Sequence, residues 1–329
     1  MFDIEINSLT DYIEEVEKID SNKYYFRGEN GNYASRSATA YRGSQNKFNG
    51  KQIYPVTTML NEFHREIAHK LPQEYSKDIL AFAQHHGLPT NLLDITKSPL
   101  VALFFACLEN KNCDEGFIYC YKIDDTLDIT SIVQNFSHEY VTSMFFDNNI
   151  KTVLPLILLL NDYFKNHCEI LDLYTENLTN FAQNKNIRIN DLYTGNDAYV
   201  KIFVEQGVQV KVIDYLLLLL FYLNTIKNEQ NGETIKFLPI CIYNPILTFE
   251  RARNQHGLFI YQVFCSNNDE IYNCPANVEQ EILHNYKFKI NNRAEILKSL
   301  DLIGINKKTI FADYDNIARY IKDKYKSQI

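Results

Sequence analysis

The chain has 329 residues, 46% of them hydrophobic and 13% aromatic, and a formal net charge of −8. That length exceeds the usual ~100 to 200 residues of one domain, so one large domain or a domain with an insert is expected, with ample apolar content for a core. The acidic balance excludes broad, charge-driven binding to DNA or an anionic membrane surface, which needs a concentrated basic face.

The first eighteen residues, MFDIEINSLTDYIEEVEK, are acidic and amphipathic rather than basic and then apolar, so no secretory signal is read there. The longest aliphatic run, Ile213 to Leu223, is too short to span a bilayer. A cytoplasmic protein with no membrane partner is expected. Seven cysteines, Cys107, Cys113, Cys120, Cys168, Cys241, Cys265 and Cys274, form no CxxC pair, a pattern of reduced thiols with no metal site.

In chain order, Leu9 to Asp20 has the 3- and 4-residue apolar spacing of a short helix. Lys23 to Gly28, KYYFRG, has strand composition and ends in Arg27-Gly28. A planar guanidinium at a strand end suits a phosphate or carboxylate, and Gly28 permits close backbone approach; a structural ion pair with Glu29 is the plain alternative. A second Tyr-Arg-Gly, Tyr41 to Gly43, lies in a polar loop and is discounted. Val56 to His69 and Tyr75 to Gln84 read as helices, with His64 and His69 at their surface.

Ala83 to Cys107, AQHHGLPTNLLDITKSPLVALFFAC, is the stretch around which the chain is organised. It concentrates Gln84, His85, His86, Thr90, Asp94 and Thr96, then becomes wholly apolar. Gly87 and Pro89 break the incoming helix, which places the cluster on a turn, and Asp94 or Thr96 can cap the next helix, Pro99 to Leu108. That helix is apolar on nearly every face and therefore buried, so a polar loop is fixed to a rigid mount. The plain alternative is that the histidines end one helix and Asp94 only starts the next.

Glu115 to Ile123 has strand composition, whereas Asp125 to Leu238 carries long apolar blocks of helical length, with a short strand expected at Val208 to Val212. Phe237 to Tyr243 reads as a strand, followed by a second polar cluster of Glu250, Arg251, Arg253, Gln255 and His256, and then by a strand from Gly257 to Phe264. A helical turn over Phe249 to Gln255 puts Arg251 and Gln255 on one face. The tail, Arg293 to Ile321, reads as helix, turn at Gly304, short extended piece and closing helix. The expected fold is α+β, a small mixed sheet with flanking helices and a mostly helical insert, divided at 1–124, 125–236 and 237–329. Arg27 and both polar clusters are expected to meet in one pocket.

Phe26-Arg27-Gly28, AQHHGLPTNLLDIT with SPLVALFFAC, ERARNQHGLF and IGINKKTIFADYDNIARYI together resemble the FRG domain family, whose name comes from the first motif. The chain has Thr90-Asn91-Leu92-Leu93-Asp94-Ile95-Thr96 where the family pattern is Thr-Arg-Leu-Leu-Asp-Trp-Thr, and Phe311-Ala312-Asp313 where it is Phe-Pro-Asp. Asn91 thereby removes a cation expected beside Asp94. The family occurs in bacterial and phage genomes, in settings that imply defence or toxin roles.

A looser resemblance, to arginine-type ADP-ribosyltransferases, implies NAD as cofactor and a macromolecular acceptor. Under that resemblance Arg27 and Gly28 would hold the pyrophosphate, Thr96 or Gln84 the nicotinamide amide, and Asp94 or Gln255 would steer the acceptor. His85 joins the catalytic set, while His86, Thr90 and Arg251 join the cofactor-binding set. The characteristic glutamate of those transferases has no counterpart. No GxGxxG, Walker loop, HExxH or GxSxG is present. Three readings follow: an NAD-dependent transferase, a non-catalytic sensor of a nucleotide-like small molecule, and a metal-independent ribonuclease using His85, His86 and Asp94.

Overall fold

In the computed structural model, which describes residues 4–33, 36–42, 45–46, 50–51, 53–147, 150–194, 196–229, 234–246, 250–265 and 277–326, eight strands form one mixed sheet. They are β1 (Ile4–Ile6), β2 (Tyr24–Glu29), β3 (Leu92–Thr96), β4 (Gly116–Lys122), β5 (Thr126–Asp128), β6 (Ile240–Tyr243), β7 (Gly257–Tyr261) and β8 (Tyr286–Ile290). Their order across the sheet is β1-β8-β4-β2-β3-β7-β6-β5. The outer pairs β1/β8 and β5/β6 are parallel, and all others are antiparallel. The architecture is α+β with a mixed sheet. Of the sequence readings above, Gly43, Phe249 and Cys274 lie outside the described residues.

The central seam of this sheet is incomplete. β2 pairs with β4 along its whole length, from Tyr24 opposite Lys122 to Glu29 opposite Phe117, yet it meets β3 only where Phe26 faces Thr96. Because side chains alternate along a strand, Phe26 and Gly28 share one face with Asp94 and Thr96, while Arg27 and Glu29 point to the other.

Two helical covers lie on the Phe26 face. Over β1, β8, β4 and β2 pack α1 (Leu9–Lys18) and the buried helix α4 (Pro99–Cys107), with Tyr12, Phe104 and Phe288 in one core cluster. Over β3, β7 and β6 lies a second cluster that joins Leu92, Phe259 and Tyr261 to a set of helices between residues 130 and 228. On the opposite face Ala38, Tyr41, Ile53 and Val56 cover Leu93, Ile95 and Tyr121.

Glycine lets α4 sit against the strands. A Cβ at Gly28 would stand 1.8 Å from the carbonyl oxygen of Ala102, and one at Gly116 would stand 2.2 Å from that of Ala106. The backbone of α4 therefore rests directly on β2 and β4, which no residue with a side chain would allow. Ser98 accepts from the Val101 amide and Pro99 occupies the first turn, so the cap falls on Ser98 and not on Asp94 or Thr96. Both of those residues lie within β3 instead of on a turn.

The remaining helices are α2 (Val56–Ile67), α3 (Ile79–His85), α5 (Thr130–Asn135), α6 (His138–Phe146), α7 (Leu154–Phe164), α8 (Cys168–Asn184), α9 (Ile189–Tyr193), α10 (Asp197–Glu205), α11 (Val210–Asn228), α12 (Glu250–Asn254), α13 (Arg293–Leu302), α14 (Lys307–Phe311) and α15 (Tyr314–Lys326). The strand expected at Val208 to Val212 is not formed: Val208 and Gln209 lead into α11, which begins at Val210. That helix is aliphatic nearly all round because neighbouring helices bury it nearly all round. Among the described residues no single helix is long and apolar enough to cross a membrane.

The extended piece expected after Gly304 is also helical. Asn306 accepts from the Thr309 amide at 3.1 Å while the Thr309 hydroxyl accepts from the Asn306 amide at 3.1 Å, a capping box that starts α14. Ala312 ends α14 at φ 55°, a conformation closed to the proline of the family pattern. Cys107, Cys120 and Cys241 are buried thiols, but Cys265 is disulfide-bonded, so reduced thiols throughout do not hold.

Candidate functional site

A cavity of about 370 Å³ opens at the gap between β2 and β3 and is lined from both faces of the sheet, by Asp94 and Thr96 on the Phe26 side and by Ile95 and Leu258 on the other. Arg27 and Gly28 of β2, Asp94 and Thr96 of β3, Gln84 and His85 of α3, and Arg251 and Gln255 at α12 all line it. Phe105 of α4, Phe259 of β7 and Leu88 supply apolar wall. The two polar clusters and Arg27, up to 228 positions apart in the sequence, thus share one cleft.

Arg27 stands at the gap in the seam. Its Nε donates to Glu29 at 2.7 Å and its Nη1 donates to the Asp94 carbonyl at 2.6 Å, an oxygen that a continuous β2/β3 ladder would otherwise satisfy. Burial works to lower its pKa, and the Glu29 and Asp94 carboxylates outweigh burial and leave it raised. The guanidinium is permanently charged and largely committed to the chain. Glu29 is buried and its Oε2 has no hydrogen-bond partner. The structural ion pair is therefore present, at the rim of the same cavity.

Asp94 is exposed, and its Oδ1 accepts from Gln84 Nε2 at 3.2 Å. Gln84 also donates to the Leu92 carbonyl, and its Oε1 accepts a short hydrogen bond from the Thr90 hydroxyl. Thr90 is fully buried and does not line the cavity; it orients Gln84, which orients Asp94. His86 does not line it either, being exposed with its ring 4.4 Å from that of Phe82. Burial, then the charges of His86 and Arg251, bring the His85 pKa down to about 4, so its imidazole is neutral at pH 7.

The Thr96 hydroxyl donates to the Gln255 carbonyl at 2.7 Å and accepts from the Ser98 amide. Gln255 Nε2 donates to the Ile310 carbonyl at 3.3 Å, and Asn254 donates to that of Thr309. These bonds fasten α12 between β3 and α14. Arg251 lies with its guanidinium carbon 5.1 Å from the Phe311 ring and has no ion pair or hydrogen bond among the described residues. It is the cation of the cleft left open to an anion.

Sequence reasoning passed over Arg42. Its Nε donates to the Ser37 carbonyl, and it lies close enough to Arg27 that burial and then the Arg27 charge lower its pKa. The signal was the second Tyr-Arg-Gly, set aside for its polar surroundings. Asn91, whose presence removed an expected cation, is buried and faces the core, where its Nδ2 donates to the Gln262 carbonyl. Among the described residues no group of three or more His, Cys, Asp or Glu side chains is placed to hold a metal ion.

The FRG domain family matches residues 22–115. The chain carries an FRG domain. The match takes in β2, the Thr90–Gln84–Asp94 series and α4, while α12 and β7 complete the cleft from outside it. No curated protein and no solved structure matches the chain.

Proposed function

We propose that the FRG cleft binds a phosphate-bearing, nucleotide-like small molecule. The observation that carries this reading is Arg251, an unpaired guanidinium on the wall of a 370 Å³ cavity. Small-ligand sites measure ~300 to 1,000 Å³ and combine apolar walls with a few fixed polar groups. Phe105 and Phe259 provide surface for a planar ring, and Arg251 provides the donor fork for a phosphate. A cavity of this size encloses a mononucleotide-sized group, so NAD would extend beyond it.

Replacing Arg251 with glutamine is expected to weaken ADP-ribose or AMP binding at least tenfold by calorimetry with little change in melting temperature, because within the chain its charge meets only the Phe311 ring and the more distant Asp313 carboxylate. Equal affinity in the two proteins would reject the phosphate assignment.

A second reading, ADP-ribosyl transfer from NAD, rests on Asp94. An exposed carboxylate held in place by a buried Thr90–Gln84 series suits a group that steers a nucleophile or steadies developing positive charge. The residues fit this cofactor in part. Arg251 and Asp94 offer open charge, but Gln84 and Thr96, the expected partners of the nicotinamide amide, already satisfy their hydrogen bonds within the chain.

Asp94→Asn separates the two readings, since asparagine retains the acceptor for Gln84 and Asp94 is not a helix cap. If the chain transfers ADP-ribose, the variant keeps its melting temperature and loses a factor of about 100 in label transferred from NAD to protein or nucleic acid in bacterial extract. Transfer at the wild-type rate would remove Asp94 from the chemistry, and no transfer by the wild-type protein would leave the binding reading. A defence or toxin role, which the family resemblance implied, predicts slowed growth of a bacterial host expressing the chain and relief by the cleft variants.

A further inference from the structure

Away from the FRG cleft, Thr57, His138 and Asn91 form a hydrogen-bonded series. Thr57 Oγ1 lies 2.9 Å from His138 Nδ1, and His138 Nε2 lies 3.3 Å from Asn91 Oδ1. Asn91 Nδ2 donates to the Gln262 carbonyl, which fixes Oδ1 as the acceptor facing the ring. His138 therefore carries its proton on Nε2, and its bare Nδ1 accepts from the Thr57 hydroxyl. Burial holds the His138 pKa at about 4, so the ring is neutral at pH 7. A hydroxyl bonded to a neutral imidazole that a third side chain orients is the arrangement of an activated nucleophile.

Two independent features lie beside this series. A cavity of about 280 Å³ has His138 in one wall and Leu60, Asn61 and His64 of α2 in another. Thr57 precedes those three residues by 3, 4 and 7 positions and so shares their helix face. Thr57 also lies in the first turn of α2, whose cap residue Pro55 supplies no side-chain acceptor. The first amides of a helix have no intrahelical acceptor, so in the site proposed below those of Val56 to Thr58 would donate to a developing oxyanion.

We propose that Thr57 is the nucleophile of a second site that hydrolyses esters with a small apolar acyl group. Thr57 Oγ1 attacks the ester carbonyl while its proton passes to His138 Nδ1. The C–O bond to the alcohol breaks, His138 returns the proton to the departing alkoxide, and the acyl group remains on Thr57. Water then attacks the acyl carbon, giving its proton to His138; the carboxylic acid leaves, and Thr57 regains its hydrogen. Leu80, Val133 and Phe136 in the cavity wall offer a surface for a short apolar acyl chain, while Asn61, Lys77 and Gln134 make the rest of the wall polar.

The test uses p-nitrophenyl butyrate as substrate and a fluorophosphonate probe followed by peptide mass spectrometry. Saturable hydrolysis by the wild-type chain and probe adduct on Thr57 are expected. Thr57→Val, which keeps the shape of the side chain, is expected to lower the rate about 100-fold or more with an unchanged melting temperature, and Thr57→Ser to retain most of it. His138→Gln should abolish the adduct; should that variant fail to fold, labelling of the wild-type protein decides alone. Wild-type turnover by Thr57→Val, or the absence of probe on Thr57 in folded wild-type protein, would overturn the proposal and leave His138 as a core histidine.

Discussion

Gly28→Ala is expected to destabilise the chain by about 3 kcal/mol or more, roughly 4 °C or more in melting temperature for a protein of this size. The added methyl group would stand 1.8 Å from the carbonyl oxygen of Ala102, a backbone atom of a buried helix. No rotamer relieves that contact, because a Cβ has no rotamers. Either α4 lifts from β2, which loosens the packing of Val101, Phe104 and Phe26, or the strand shifts and the Arg27 bond to Asp94 is lost. Differential scanning calorimetry reads the result directly. A melting temperature within 2 °C of wild type would mean that α4 does not rest on β2 as described.

Arg27→Met is expected to cost about 3 to 5 kcal/mol, since it leaves the buried Glu29 carboxylate without its counter-charge. The double variant Arg27→Met, Glu29→Leu should recover most of that loss, because removing both charges of a buried pair is far less harmful than removing one. Denaturant unfolding of the two single variants and the double completes a cycle, and additive losses would show that the 2.7 Å contact carries no coupling. Arg27→Lys keeps the charge near Glu29 but cannot also supply the planar second donor to the Asp94 carbonyl. Stability and cleft geometry should therefore fall together in that variant.

The composition of the cleft was legible in the sequence because its residues are polar in otherwise apolar surroundings, and because breaks in the chain surround them. Gln84, Asp94, Arg251 and Gln255 all stood out for that reason. Their roles were less legible. Close approach of a ligand and close approach of a helix leave the same glycine, so Gly28 gave no sign that α4 was the neighbour. A hydroxyl on a polar stretch looks the same whether it meets a ligand or orients Gln84, which is what Thr90 does.

Among the elements, β8 went unread although Tyr286, Phe288 and Ile290 alternate with lysines, since alternation over five residues is a weak signal. α14 was taken as extended because Thr309, Ile310 and Phe311 favour strands one by one, while the Asn306–Thr309 capping box decides the matter locally. Thr57 and His138 carried no signal, and Asn91 stood out only as a missing cation, because the three have meaning together only once α2, α6 and the start of β3 are brought side by side.

The single bridge between Phe26 and Thr96 also bears on how the molecule opens. On the Phe26 face β1, β8, β4 and β2 belong to one core cluster, and β3, β7, β6 and β5 to another. The two four-stranded plates are joined in backbone by one residue pair and one arginine, and on the opposite face by a third cluster that packs Tyr119 and Tyr121 with Leu93 and Ile95. Separating the plates would break little backbone pairing but would open that third cluster, so side chains hold the joint more than the ladder does. Whatever occupies the cleft touches both plates at once. Its binding energy therefore enters the joint between them, and amide exchange near Arg27 and Asp94 would slow on binding even where no contact with the ligand is made.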